Sequence, residues 1–223
     1  MQEVVPIHTE RNTQLIAALA AHTPSQRLQA ALAIGTDPDR ALLEALVARC
    51  GTEPDFYVRD MLTWALTRLS PDLTVPRLLA ELETDRSQAR SQALHTLSKI
   101  GDARAWPAMT PALLRDPDDE VARAAWRAAE AVVPEGRERD LAETLATQLG
   151  RGGREVQLSL SRALVALGAV VEPVLQRALD SGDPIVTAHA AATQRLLEDP
   201  DAAFEPAVKE AKRIYALGTE RQG

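Results

Sequence analysis

The sequence predicts an all-α fold, a right-handed α-solenoid of about six stacked helix pairs. Three observations carry this expectation. Composition comes first: hydrophobic residues make up 45% of the chain but aromatics only 3%, and alanine and leucine dominate, which favours helices over strands. Second, one apolar pattern at i, i+4, i+8 and i+11 returns along the chain, and that spacing is one face of a helix. Third, glycine- and proline-containing breakers separate the returns.

Taken in order, helix 10–22 lies within an N-terminal cap spanning residues 1–22. A short first unit ends at Ile34-Gly35-Thr36-Asp37, where the glycine reads as a helix stop. Val58, Leu62, Leu66 and Leu69 form the next apolar face, with Pro76 in the helix that follows. Ala89, Ala93, Leu97 and Ile100 repeat it, closed by Gly101-Asp102 and followed by a second helix containing Pro107. Val121, Ala125, Ala129 and Val132 repeat it again. Val156, Leu160, Leu164 and Leu167 do so with Gly168 and Pro173 behind them, and Val186, Ala190 and Leu197 more loosely with Pro206.

The first apolar positions, 58, 89, 121, 156 and 186, are spaced by 31, 32, 35 and 30 residues. Thr84-Asp85, Asp116-Pro117-Asp118, Gly150-Arg151-Gly152-Gly153 and Gly182-Asp183-Pro184 are the breakers; the glycine-rich one reads as a flexible loop between repeats. No pair is large enough to bury its own apolar face, so neighbours must stack. The expectation is one domain over 1–223, with repeats over 23–210 and the end of a closing helix (204–217) and a tail over 211–223.

The stretch ARSQALHTLSKIGDARA resembles the HEAT-like repeat of the type named after phycobilisome lyases. That pattern sets a valine-arginine pair early in the inner helix, isoleucine-glycine at its end and a proline in the outer helix. Val58-Arg59 and Ala89-Arg90 follow the pair; Val121-Ala122, Val156-Gln157 and Val186-Thr187 depart from it. The resemblance implies the fold and a binding face lined by the inner helices. It does not imply one activity.

Several functions are disfavoured. Net charge is −7, with 25 basic and 32 acidic residues, and neither half is a basic block, so phosphate-driven nucleic-acid binding has no global support. No apolar run approaches the roughly 18 residues of a membrane span. The lone Cys50 reads as a small buried residue in a reducing, cytoplasmic setting. The histidines, at 8, 22, 95 and 189, share no ligand spacing, and no phosphate loop occurs, so no cofactor or metal is expected. The chain reads as a non-enzymatic protein.

The stretch DFYVRDMLTWALTRL (55–69) gathers three of the chain's seven aromatics, Phe56, Tyr57 and Trp64. At 100° per residue Val58, Leu62, Ala65, Leu66 and Leu69 form the core arc, while Tyr57, Met61, Trp64 and Arg68 run as a stripe on its flank. Phe56 is expected to pack on the preceding turn, and Trp106 and Trp126 to be core. Stacking repeats brings equivalent positions side by side: Trp64, His95, Arg127, Arg162, Ala192, and one turn on Arg68, Lys99, Ala131, Ala166, Leu196. The candidate binding residues are Tyr57, Asp60, Trp64, Arg68, His95, Lys99, Arg127 and Arg162. Two readings stand: a groove with an aromatic end and a basic ridge, or Trp64 as packing and the arginines paired with Asp119, Glu120 and Glu155.

DFYVRDMLTWAL is also similar to a segment of the DNA-alkylation-repeat glycosylases, where a matching aromatic spacing lines the damage-binding cleft. That family's catalytic aspartate lies well before this segment, and the 54 residues preceding Asp55 contain no aromatic-rich helix bearing one. The leading expectation is therefore an interaction or scaffold module holding a protein or peptide partner in its concave groove. The alternative is a planar small molecule or a nucleic acid in the same groove, with an inherited lyase or glycosylase activity last. Oligomeric state is not encoded in any feature of the sequence.

Overall fold

The structure, a computed structural model, describes residues 7–199, and among these every regular element is a helix. The expected closing helix at 204–217 and its tail lie outside the described residues. The backbone groups into two compact units, residues up to Ala108 and residues from Met109.

The first unit holds α1 (Ile7–Leu19), α2 (Pro24–Thr36), α3 (Leu43–Cys50, led in by a 3-10 turn at Arg40–Leu42), α4 (Phe56–Thr67), α5 (Pro71–Glu81) and α6 (Ser87–Ile100). A 3-10 turn at Ala103–Ala108 closes it. Helices α2, α4 and α6 pack side by side in sequence, with α2 against α4 the most extensive pairing; α3 and α5 pack on their outer side. The second unit repeats the scheme. Its inner set is α8 (Asp119–Val132), α10 (Arg154–Ala166) and α12 (Pro184–Glu198). Its outer set is α7 (Pro111–Leu114), α9 (Glu138–Ala146) and α11 (Glu172–Leu179, after a 3-10 turn at Gly168–Val171).

The repeating apolar arc is the core. Val58, Leu62, Ala65, Leu66 and Leu69 on α4, and Val121, Ala125, Ala129 and Val132 on α8, are all buried, as is Val156-Leu160-Leu164-Leu167 along α10. On α12 the looser match shows: Val186 and Leu197 are half-buried, while Ala188, His189, Ala192, Thr193 and Leu196 point inward with Ala190. Three inner helices share a start signal. Asp55, Asp118 and Asp183 each stand three residues before the first apolar position, and each carboxylate accepts from two backbone N–H groups of the opening turn. A cap of that kind stabilises a helix by about 1 kcal/mol.

Gly101 (φ 65°) and Gly168 (φ 73°) end or follow their helices in the left-handed conformation, as expected of a stop. Gly35 does not. It lies inside α2, so the first unit's isoleucine-glycine serves another purpose. The expected second helix containing Pro107 is also different: the chain makes a 3-10 turn, breaks at Met109-Thr110, and restarts as the four-residue α7 with Thr110 as its cap. Pro107 and Pro111 each remove a donor, and Trp106 before Pro107 is biased away from helical geometry. Trp106 is only half-buried as a result.

Candidate functional site

On α4 the Asp55 cap and the core arc fix which residues face out. Phe56 lies roughly 140° around the helix from the arc's centre, and it is exposed instead of packing on the preceding turn. Phe56 and Tyr57 are 65% and 73% exposed, two of the most exposed large side chains described. Their rings meet edge-on, 5.6 Å between centroids. Arg59, whose guanidinium donates to the Glu53 and Pro54 carbonyls, stands 6.0 Å from the Phe56 ring. Asp60 and Arg68 are exposed further along, and Met61 is half-buried between them.

Trp64 answers to both of its readings. It is 37% exposed, so it contributes to the outer face of α4. Its six-membered ring nevertheless lies against Gly35 of α2: a Cβ placed there would overlap Cζ3 and Cε3 of the indole. The glycine is a seat for the ring within the most extensive helix pairing of the unit. Gly35→Ala should therefore push Trp64 off and destabilise the protein by about 1–3 kcal/mol, the usual cost of overpacking. A denaturant melt read by tryptophan emission checks this, and adding Trp64→Leu should recover most of the loss; an unchanged melt for Gly35→Ala would mean the ring is not seated.

The remaining candidates divide between the units. His95 is half-buried and Lys99 exposed on α6, the neighbour of α4, so Tyr57, Asp60, Trp64, Arg68, His95 and Lys99 occupy two adjacent helices. Arg127 and Arg162 are exposed on α8 and α10 of the second unit, which also pack directly on each other. The acids expected to neutralise them are engaged elsewhere. Asp119 binds Arg151 at 2.9 Å, Glu120 binds Arg123 at 2.8 Å and Glu155 binds Arg154 at 2.9 Å. Although the side chain reaches water, desolvation by the surrounding protein and then the like charge of Arg123 hold Arg127 below its ordinary pKa, with Glu120 opposing them, and the guanidinium stays charged throughout the physiological range.

Two buried polar networks escaped the sequence reading. Glu53 is fully buried, and its carboxylate accepts two bonds from Arg27 and one from Arg49, all at 2.7 Å, plus one from the Asp55 amide at 2.9 Å. Its carbonyl accepts from Gln88 of α6 at 2.8 Å and from Arg59 of α4 at 3.0 Å. One residue thus ties together α2, α3, α4 and α6. Burial alone would raise its pKa; the Arg27 bonds, the Asp55 amide and Arg49 outweigh that and hold it at about 2. The signal was available: Arg27 occupies the apolar arc of α2 with Ala30, Ala31 and Ile34, and a charge at a core position needs a partner. Nearby Cys50 is buried as expected, and burial pushes its thiol up to about 12, which makes it inert.

The second network joins α10, α12 and the 150–154 turn. Gly150 N–H donates to His189 Nδ1 at 3.0 Å, so the ring proton sits on Nε2, which faces the Gln157 carbonyl and Ser161 Oγ, both at 3.0 Å. Ser161 Oγ in turn meets Thr193 Oγ1 at 2.7 Å. A serine beside a histidine invites a catalytic reading, but Ser161 is 0% and His189 1% exposed, so no substrate reaches them. The turn is not the loose connection expected. Arg151 is fixed by Asp119, by the Asp116 carbonyl at 2.6 Å and by Gln148 at 3.1 Å, and lies 5.9 Å from the Trp126 ring.

Burial pushes His189 down to about 4, with the Gln157 carbonyl opposing the shift. Its folded pKa is below the ordinary 6.5, so its contribution is complete above that value and is lost as pH falls toward about 4. Unfolding free energy should therefore decline between pH 6.5 and 5, above the range where carboxylates titrate, and His189→Gln should flatten that slope. A wild-type slope identical to the variant's would remove His189 from the pH response.

A model of HEAT repeats matches residues 43–130, from α3 through α8. Over that stretch the chain is similar to HEAT repeats. HEAT repeats commonly mediate protein interactions or scaffolding, and they are typically non-enzymatic. No curated protein matches the sequence. Among the described residues no group of His, Cys, Asp or Glu is arranged to hold a metal, and no helix is long and apolar enough to cross a membrane.

Proposed function

We propose that this HEAT-like chain is a non-enzymatic interaction module, a cytoplasmic scaffold or adaptor that binds a protein or peptide partner on the outer face of α4 and the adjoining face of α6. The observation that supports this most is the Phe56–Tyr57 pair. Two large rings held edge-on and mostly in water contribute little to the fold there, whereas aromatic anchors dominate the energetics of protein interfaces. They stand on a capped helix whose core face is locked, so the surface is pre-organised and binding orders few additional groups. Asp60, Arg68, His95 and Lys99 supply a mixed polar rim.

The alternative, stacking of a planar ligand or base on Tyr57 and Trp64, is weakened by the contact of the Trp64 ring with Gly35. The same contact counts against the alkylation-repeat reading, and the net charge of −7 disfavours a nucleic-acid backbone. A lyase or glycosylase activity has the least support, because the 54 residues preceding Asp55 contain no aromatic-rich helix bearing an aspartate.

The test is the double substitution Phe56→Ser with Tyr57→Ser. Both positions are exposed, so thermal stability should change by less than about 0.5 kcal/mol. A partner recovered from the native host's lysate by the wild-type chain should be lost. Equal recovery by the stable variant would move the binding surface elsewhere.

A further inference from the structure

The second unit carries a charged strip that the α4 surface does not account for. Arg127 on α8 and Arg162 on α10 occupy the same position in successive repeats, as the spacing from Val121 to Val156 requires, and the two helices pack directly. Both side chains are exposed, and neither makes an ion pair among the described residues. Asp119, Glu120 and Glu155 are already bound to Arg151, Arg123 and Arg154. One turn before Arg127 stands Arg123, whose Nε is buried without a hydrogen-bond partner. Two of its neighbours on α8 are Glu120, which its other end binds, and Arg127 itself.

Apolar side chains adjoin Arg162. Leu158 and Val165 flank Arg162 on α10 and are half-buried against Ala192 and Leu196 of α12. Ala131 and Ala166, the next residues along the two columns, are small and exposed. Of the other acids on these faces, Glu130 stands three residues after Arg127 and is half-buried. Arg127 and Arg162 are thus left as two exposed guanidinium groups whose nearest acids are tied to other arginines, within a chain whose net charge is −7.

We propose that this strip is a docking site for an acidic segment of a partner protein, with Arg127 and Arg162 each holding one carboxylate. Helices in direct contact lie about 8–10 Å apart, so the two arginines start from backbones separated by about that distance and can reach carboxylates of comparable spacing. Seven residues along a helix provide about 10 Å, and three residues along an extended segment about the same. Arg pairs with carboxylates in a two-pronged geometry, and Leu158 and Val165 offer contact for the stems of the acidic side chains. An isolated acidic segment is favoured over a nucleic acid because the overall negative charge repels a continuous phosphate backbone, while two local contacts survive it. The site does not depend on the reading of α4, and Phe56→Ser with Tyr57→Ser should leave it intact.

The experiment uses the full chain and a labelled twelve-residue glutamate peptide, read by fluorescence anisotropy at low salt. The wild type should bind, and Arg127→Ala with Arg162→Ala should weaken binding by about tenfold or more, the scale of losing two charge-assisted contacts. Arg154→Ala, which removes an exposed arginine already paired with its neighbour, should not. The charge swap Arg127→Glu with Arg162→Glu should bind the equivalent lysine peptide in place of the glutamate one, which guards against a variant that is merely unstable. No binding by the wild type, or equal binding by the double alanine variant, overturns the proposal. Tighter binding of a thymidine oligonucleotide that is lost in the same variant overturns it in favour of phosphate.

Discussion

Glu53→Ala should destabilise the protein by about 3–5 kcal/mol, the cost of leaving a buried charge without its partner. The partner left behind is Arg27, 5% exposed, which gives two of its nitrogens to Glu53 and the third to the carbonyls of Ala21 and His22. The loss is larger than for a surface pair because four helices meet at the turn that Glu53 closes, and because Asp55, whose amide Glu53 holds, is the cap of α4. Glu53→Gln keeps the shape and should recover only part of the stability, since one carboxamide cannot accept from two guanidinium groups and an amide at once. The pH dependence has a definite sign. The folded pKa is lowered from about 4.5 to about 2, so the contribution is present above 4.5 and fades as pH falls through that interval. Urea unfolding of wild type and both variants at neutral pH and at pH 3 checks the account; a difference that persists undiminished at pH 3 would contradict the ionic origin.

Trp126→Ala should cost a comparable 3–5 kcal/mol, in the second unit. Trp126 is completely buried on α8, so truncation leaves a cavity the size of an indole. Its Nε1 donates to the Leu114 carbonyl at 2.8 Å, the bond that holds the short α7 in place. That carbonyl loses its donor, and Arg151 loses the ring beneath it. Trp126→Phe should fill most of the cavity and still leave Leu114 unsatisfied, placing it between wild type and alanine. If phenylalanine and alanine are equally damaging, the hydrogen bond outweighs the packing.

How far the fold was legible depends on whether the information lies within one helix. The arc Val58-Leu62-Ala65-Leu66-Leu69 is a property of α4 alone, and every member is buried. Gly101 and Gly168 act locally and were read correctly, as was Trp126. The first unit ends at Thr36-Asp37 as its sequence indicates, but the role of Gly35 as a seat was hidden because its partner, Trp64, is 29 positions away; a stop and a seat look alike in sequence. The Pro107 region failed for a local reason, two prolines four residues apart, that the repeat pattern overrode. The Gly150–Arg154 turn looked loose from its glycines, yet Arg151 and His189 fasten it through residues that are distant in sequence.

The candidate site shows the same division. Periodicity placed Tyr57, Trp64 and Arg68 on one flank of α4, and the structure exposes all three. It could not separate the freely exposed Tyr57 from the seated Trp64, nor show that the acids expected beside Arg127 and Arg162 serve other arginines. Phe56 was placed inward although its own position on the wheel points outward. There the general rule that aromatics seek cover prevailed over the geometry of the helix, and that error concealed half of the surface now proposed to bind.

The most direct measurement places a photo-activated cross-linking residue at position 57, and in a second variant at Glu83, also exposed but beyond the end of α5, with irradiation in the native host. The α4 surface predicts one discrete adduct from position 57 and none from position 83. A partner captured at 83 with nothing at 57 would contradict the account and turn the search to the segment that follows α5.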